Sequence, residues 1–166
     1  MDGMKSTNRG TTAEREVVVA RDIAAPRELV FEAFGAVEHL GRWWGPDGFT
    51  TTTQSFDFRV GGAWIFVMHG PDGTEYREWI SYTEITPPER IVMLHGEVPD
   101  DPNAFESILT FTEDSGVTRV ELRTIFPTKA ARDVAVETYH AIEGGEQTLG
   151  HLAAYVTARA RVVATR

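Results

Sequence analysis

Hydrophobic residues recur at every second position over much of residues 49–126 and at every third or fourth position from residue 129 onward. The first spacing belongs to strands and the second to helices, so the chain predicts a sheet followed by one long helix. The alternation is clearest in Val117–Phe126. There Thr118, Val120, Leu122, Thr124 and Phe126 point one way, and Arg119, Glu121 and Arg123 the other. The same spacing predicts strands over Phe49–Phe58, Ala63–His69, Glu75–Ile85, Ile91–Glu97 and Phe105–Thr112. Trp64, Phe66 and Met68 share one face of their strand, and Ser107, Leu109 and Phe111 share one face of theirs. Between the strands stand turn-formers, of which Gly70-Pro71-Asp72-Gly73 is the strongest hairpin signal.

Ahead of this region, Glu16–Ile23 is rich in valine and predicts the first strand. Pro26 suits the first turn of a helix, which Leu29, Val30, Ala33 and Phe34 continue at helical spacing and Gly35 ends. A second short helix is predicted over Val37–Trp43, closed by Gly45-Pro46. Residues 1–14 are polar, small and without period, and predict a disordered tail. Residues 15–163 then form a single domain.

The last stretch reads as one helix from Lys129. Ala131, Val134, Ala135, Thr138, Ile142, Gly145, Leu149, Leu152, Ala153 and Val156 form its apolar stripe. Gly144-Gly145 falls at the centre of that predicted helix, where each glycine costs about 1 kcal/mol against alanine. Glycine on a buried stripe implies either a close backbone contact or a hole. The whole pattern predicts an α+β domain: an antiparallel sheet of about seven strands, two short helices after strand 1, and one long helix covering the apolar face. A sheet curved around one helix cannot touch it along its whole length, which leaves space between the two.

Composition removes several kinds of chemistry. The chain has no cysteine, which excludes disulfides, thiolate metal ligands and cysteine nucleophiles and suits a reducing cytoplasm, the expected location. A formal charge of -9 disfavours nucleic acid and anionic membrane as partners. No apolar run approaches the roughly 18 residues of a membrane span, so membrane insertion is not expected. Neither HExxH nor GxSxG occurs, and Gly61-Gly62 is not followed by a helix as a phosphate loop would be. No metal or cofactor is expected.

Several segments together carry a resemblance. RDIAAPRELVFEAF with HLGRWWGPDGF, then GGAWIFVMHGPDGTEYREW, YTEITPPERIV and EGGEQTLGHLAAYV, resemble the SRPBCC or START-like helix-grip superfamily. Within it the closest likeness is to the branch related to the activator of heat-shock-protein-90 ATPase. The resemblance covers about Glu16 to Val156 and implies the helix-grip fold. It implies function only broadly: binding of apolar small molecules, polyketide cyclase or dehydratase activity, or a co-chaperone-like interaction. Where similar proteins carry Gly-Trp in the helix this chain has Gly144-Gly145, and where they often have Asp it has Gly150. The missing indole would open a cavity unless another bulky residue, Trp79 foremost, fills the same volume.

With this fold, core-facing and ligand-facing positions coincide. The expected ligand wall comprises Trp64, Phe66, Met68 and Met93 with Leu109, Phe111, Leu122 and Phe126 from the sheet. Ile142, Gly145 and Leu149 face it from the helix, and Trp79 is the candidate filler. Trp43 and Trp44 stand at the expected mouth and, with the Gly70–Gly73 hairpin, would gate it. His95 shares strand parity with Met93; it is a candidate hydrogen-bond partner and, with Tyr82 and Glu146, a candidate base. Tyr139 and Glu143 are further candidates for the rim. The expected partner is an apolar small molecule (a lipid, polyketide or aromatic metabolite), and a homodimer is compatible with the sequence.

Overall fold

The computed structural model describes residues 12–164. The expected tail therefore lies outside the described residues as far as residue 11, and Arg15 N–H donates to the Thr12 carbonyl at 2.9 Å in a turn that leads into the first strand. In chain order the elements are β1 (Glu16–Ile23), α1 (Arg27–Glu32), α2 (Val37–Trp43), β2 (Thr50–Phe56), β3 (Ala63–His69), β4 (Glu75–Thr86), β5 (Arg90–Gly96), β6 (Phe105–Asp114), β7 (Val117–Ile125), α3 (Lys129–Glu137) and α4 (Ala141–Ala164).

The seven strands form one antiparallel sheet in the order β1-β7-β6-β5-β4-β3-β2. Strands β2 to β7 follow one another as hairpins, and β1 returns to pair with β7 from Glu16↔Ile125 to Ile23↔Thr118. The two edge strands are thus consecutive in sequence, and α1 and α2 cross from one edge of the sheet to the other. Register shifts at Thr53/Ser55 and Tyr82/Glu84 place bulges in β2 and β4, which increase the twist. One face of the sheet is covered. Trp64, Phe66, Ile80, Tyr82, Ile91, Met93, Leu109, Phe111 and Val120 are buried on it.

Short helices with no capping side chain need tertiary ties, and α1 and α2 have them. Phe31 and Phe34 meet the Phe111 ring edge-on at 5.4 Å each. Trp43 is buried, and its Nε1–H donates to the Ala33 carbonyl at 3.0 Å. Thr118 Oγ1, also buried, donates to the Ala25 carbonyl at 2.7 Å and fixes the entry to α1.

The C-terminal helix differs from expectation: it is two helices. Thr128 caps α3 by accepting from the Ala131 N–H at 3.0 Å. At the other end Tyr139 N–H reaches back to the Val134 carbonyl at 3.3 Å, and His140 adopts a left-handed φ of 56°. Thr138 and Tyr139 are weak helix formers, and a left-handed residue stops α-helical hydrogen bonding. Two consequences follow. No residue of α3 is buried, and Val134 is 50% exposed, so the stripe's first members lie on a partly wet cover. Gly144 and Gly145 fall at the N-terminal end of α4 and not at a helix centre. The buried stripe is Leu149, Leu152, Ala153 and Val156, and α4 packs chiefly along β1, with α2, α1 and α3 against it. Because the long helix lies over an edge strand, the concave face of the middle strands is left partly uncovered.

Candidate functional site

That uncovered region is a cavity of about 860 Å³. Its floor is the concave face of β5, β6 and β7, through Met93, His95, Ser107, Leu109, Leu122 and Thr124. Strand alternation explains the set: Met93 pairs with Ser107 and Ser107 with Thr124, while Leu109 pairs with Leu122, so one parity from each strand turns inward. The roof is Gly145, Thr148 and Leu149 of α4, with Ala135 and Tyr139 from α3 and the turn after it. One rim is the turn Trp44-Gly45-Pro46 with Phe49, and the opposite rim includes Glu97, Val98, Asp101 and Asn103.

Gly145 is both a close contact and part of the cavity wall. A Cβ there would stand 3.1 Å from Val19 Cγ2, so the glycine lets α4 approach β1 closely. The same missing side chain exposes the backbone to the cavity.

The polar groups inside are few. His95 and Glu78 have side chains 16% exposed each, and the Glu78 carboxylate accepts from His95 Nε2 at 2.5 Å. A carboxylate accepts only, so in the neutral ring the proton sits on Nε2 and Nδ1 carries the lone pair. Nδ1 has no hydrogen-bond partner among the described residues and is not sealed from solvent. The ring packs at 4.6 Å from Phe105. Ser107 is only 5% exposed, and neither its hydroxyl nor that of Thr124 is hydrogen-bonded to a described residue. Three carboxylates, Glu78, Glu97 and Asp101, line the cavity, and no lysine or arginine does among the described residues.

Both rims are pinned. His151 Nδ1 lies 2.8 Å from the Gly45 carbonyl and Nε2 lies 2.6 Å from the Asp47 carboxylate. Through these two contacts the ring clasps the Trp44–Phe49 turn to α4. Asp47 N–H adds a bond to Gln147 Oε1 at 3.1 Å. On the other rim Asp101 accepts from the Glu97 and Asn103 N–H groups at 2.9 Å each, and these bonds lower its pKa. Gly96 is required there, because a Cβ would fall 2.7 Å from Asp101 Cβ.

Of the residues expected to form the wall, Trp43, Trp44, Met68, Met93, His95, Leu109, Leu122, Phe126, Gly145 and Leu149 line the cavity. Trp64, Phe66 and Phe111 do not. Trp64 stacks on Phe66 with centroids 3.7 Å apart, and Phe111 is held by α1 residues, so all three are consumed by the core. Ile142 packs against the core without reaching the cavity. Trp79 fills nothing: it pairs with Ile65 and Gly96, in opposite parity to Glu78 and Ile80, and points from the other face of the sheet. Tyr82 is buried between Phe56 and Phe58 away from the cavity, and burial pushes its hydroxyl well above the usual phenol range. Glu143 and Glu146 are exposed on α4 and line nothing, whereas Tyr139 does reach the rim. The Gly70–Gly73 hairpin is not part of the wall; its Pro71 lies against Gly48 behind the Trp44 rim. Glu78 was missed. Its signal was parity, since it shares an inward face with Tyr76, Ile80 and Tyr82 and a carboxylate in that row asks for a partner.

Among the described residues no group of three His, Asp or Glu side chains is placed to hold a metal ion, and no helix is long and apolar enough to cross a membrane.

Residues 24–157 match the family model described as activator of Hsp90 ATPase homolog 1-like protein. No curated protein matches. Among solved structures, one from Arthrobacter aurescens superposes with a TM-score of 0.80 at 22% identity, over 89% of this chain and 88% of that one. One from Nitrosomonas europaea gives 0.80 at 22%, over 89% and 97%. One from Mycobacterium smegmatis gives 0.78 at 26%, over 89% and 94%.

Proposed function

The chain belongs to the activator of Hsp90 ATPase homolog 1-like family, and from that membership and the cavity between its sheet and helices we propose that it binds an apolar small molecule. The observation that carries this reading is the cavity itself. Its volume of about 860 Å³ falls within the roughly 300–1,000 Å³ of small-molecule sites. Its walls are mainly aliphatic and aromatic, with a small polar group on the floor. Burial of the ligand's apolar surface would supply most of the affinity at about 25 cal/mol per Å², and the polar group would set orientation. Trp43 and Trp44, beside the rim, make the site its own reporter.

The test is to extract purified protein under denaturing conditions, analyse the extract by mass spectrometry, and titrate the emptied protein with the recovered compound while following tryptophan emission. A stoichiometric apolar compound that rebinds and perturbs the emission is the expected result. A compound that rebinds with the cavity blocked would sink the reading.

The His95–Glu78 pair favours one further reading, an enzyme of the cyclase or dehydratase type with His95 as base. It requires that the recovered compound be chemically changed on incubation, and that His95→Phe stop the change even in protein saturated with the compound.

A further inference from the structure

The cavity's polar floor is more specific than an apolar container needs. Ser107 is 5% exposed as a residue, its hydroxyl has no protein partner and opens onto the cavity, and it sits beside Thr124 across the β6–β7 pair. A ligand that displaces water from this hydroxyl has to return the hydrogen bond or leave a polar group unsatisfied, so the floor favours a ligand with a polar atom at this point. His95 stands on the neighbouring strand, opposite Phe105 and diagonal to Ser107. Its Nε2–H is taken by Glu78 at 2.5 Å, which leaves Nδ1 as the acceptor. The floor thus offers one nitrogen acceptor and two hydroxyls that both donate and accept.

Charge narrows the choice. Glu78, Glu97 and Asp101 line the cavity, with no lysine or arginine among the described residues to balance an anion. A carboxylate or phosphate would enter against like charge and find no cationic partner, so fatty-acid, acyl-phosphate and nucleotide ligands fit badly. The walls narrow it further. Phe34, Trp44, Phe49, Phe105 and Phe126 line the cavity, and aromatic walls favour a flat aromatic body.

We propose that the cavity selects a neutral hydroxylated aromatic compound, a phenol-type ligand whose O–H donates to Nδ1 of His95 and whose oxygen accepts from Ser107 or Thr124. The proposal rests on the small-molecule reading above. It involves hydrogen bonds only: no covalent bond forms or breaks. A phenol satisfies both halves of the floor at once, whereas its methyl ether can accept but not donate, and a naphthoate brings the wrong charge.

The experiment is titration calorimetry of the full chain, near neutral pH, with naphthol, the matching naphthyl methyl ether and the matching naphthoate. Naphthol should bind about tenfold more tightly than the ether, as expected for one buried hydrogen bond, with the naphthoate weakest. In His95→Phe the naphthol-to-ether ratio should fall to about one while the ether still binds. Thr124→Val and Ser107→Ala remove a donor that naphthol and ether both use, so each should weaken both ligands and leave the ratio near its parent value, with folding checked by circular dichroism. A ratio unchanged in His95→Phe, or naphthoate binding at least as tight as naphthol, overturns the proposal. Should ether and naphthol bind equally, the cavity still holds an apolar molecule and only this proposal falls. Should none of the three bind, this proposal falls, and the small-molecule reading is decided by rebinding of the recovered compound.

Discussion

Gly144 and Gly145 are adjacent in α4 and meet different surroundings. A Cβ on Gly144 would find Pro46 Cβ at 3.9 Å, an ordinary contact, whereas a Cβ on Gly145 would stand 3.1 Å from Val19 Cγ2. Replacing a helical glycine with alanine gains about 0.5–1 kcal/mol when nothing obstructs the methyl. Gly144→Ala should therefore raise stability by about that amount in urea denaturation. At Gly145 the same gain is opposed by the displacement of Val19, and Gly145→Ala should remain within about 0.5 kcal/mol of the parent chain. Equal gains at both positions would mean that the Val19 contact is not a constraint. The sequence marked both glycines as unusual but could not separate them, because their difference depends on which one faces β1. The same limit applied to aromatic residues. Strand parity identified Trp64, Phe66 and Phe111 as inward-facing, correctly, yet only packing decides which inward residues are covered, by α1 or by Trp44, and which line open space. Trp79 failed on parity itself, since a filler for the space above Gly145 has to share the inward row with Glu78 and Ile80.

At the scale of elements, the hairpin succession was legible because period-two segments alternate with turn residues, and the strand boundaries agree within a few residues. The split of the final helix was not legible, because the apolar stripe runs on through Thr138 with no proline or glycine at the break. A left-handed His140 leaves no mark on a hydrophobic pattern. The loop between β5 and β6 was legible as a loop, but the device that holds it was not. Asp101 binds the Glu97 and Asn103 N–H groups, and those bonds hold its pKa below the ordinary 3.8. A carboxyl lowered in the folded state stabilises that state above the unfolded value, and the contribution is lost as pH falls through the lowered folded value. The rim should therefore stay fastened down to pH 3.8 and loosen only below it. Amide resonances of Glu97 and Asn103, followed by NMR across acid pH, should titrate together with a midpoint below 3.8, and Asp101→Ala should abolish that titration. A midpoint at or above 3.8 would break the link between this carboxylate and the rim.

For the whole molecule, the decisive fact is that the long helix lies over the edge strand β1 and not over the middle of the sheet. The stripe on α4 states which face is buried but not which strand receives it, so the sequence could predict space beneath the helix without locating it. With α4 to one side, α3 is left as a thin cover, with no buried residue and Ala135 facing the cavity. A cover of this kind can be altered without disturbing the core. Ala135→Trp would place an indole into the cavity from an element that contributes little to the fold, so the variant should melt near the parent temperature. A ligand that binds only the folded state stabilises it by about 2.7 kcal/mol at a hundred times its Kd. For a chain of this size that corresponds to a rise of roughly 5–10 °C in Tm. The parent protein should show that rise with the naphthyl methyl ether, and Ala135→Trp should lose most of it while its own Tm stays nearly constant. Such a pattern ties the stabilisation to the volume beneath α3. An undiminished rise in the variant would mean that the compound binds elsewhere, and the cavity would then be a by-product of laying one helix along the edge of a curved sheet.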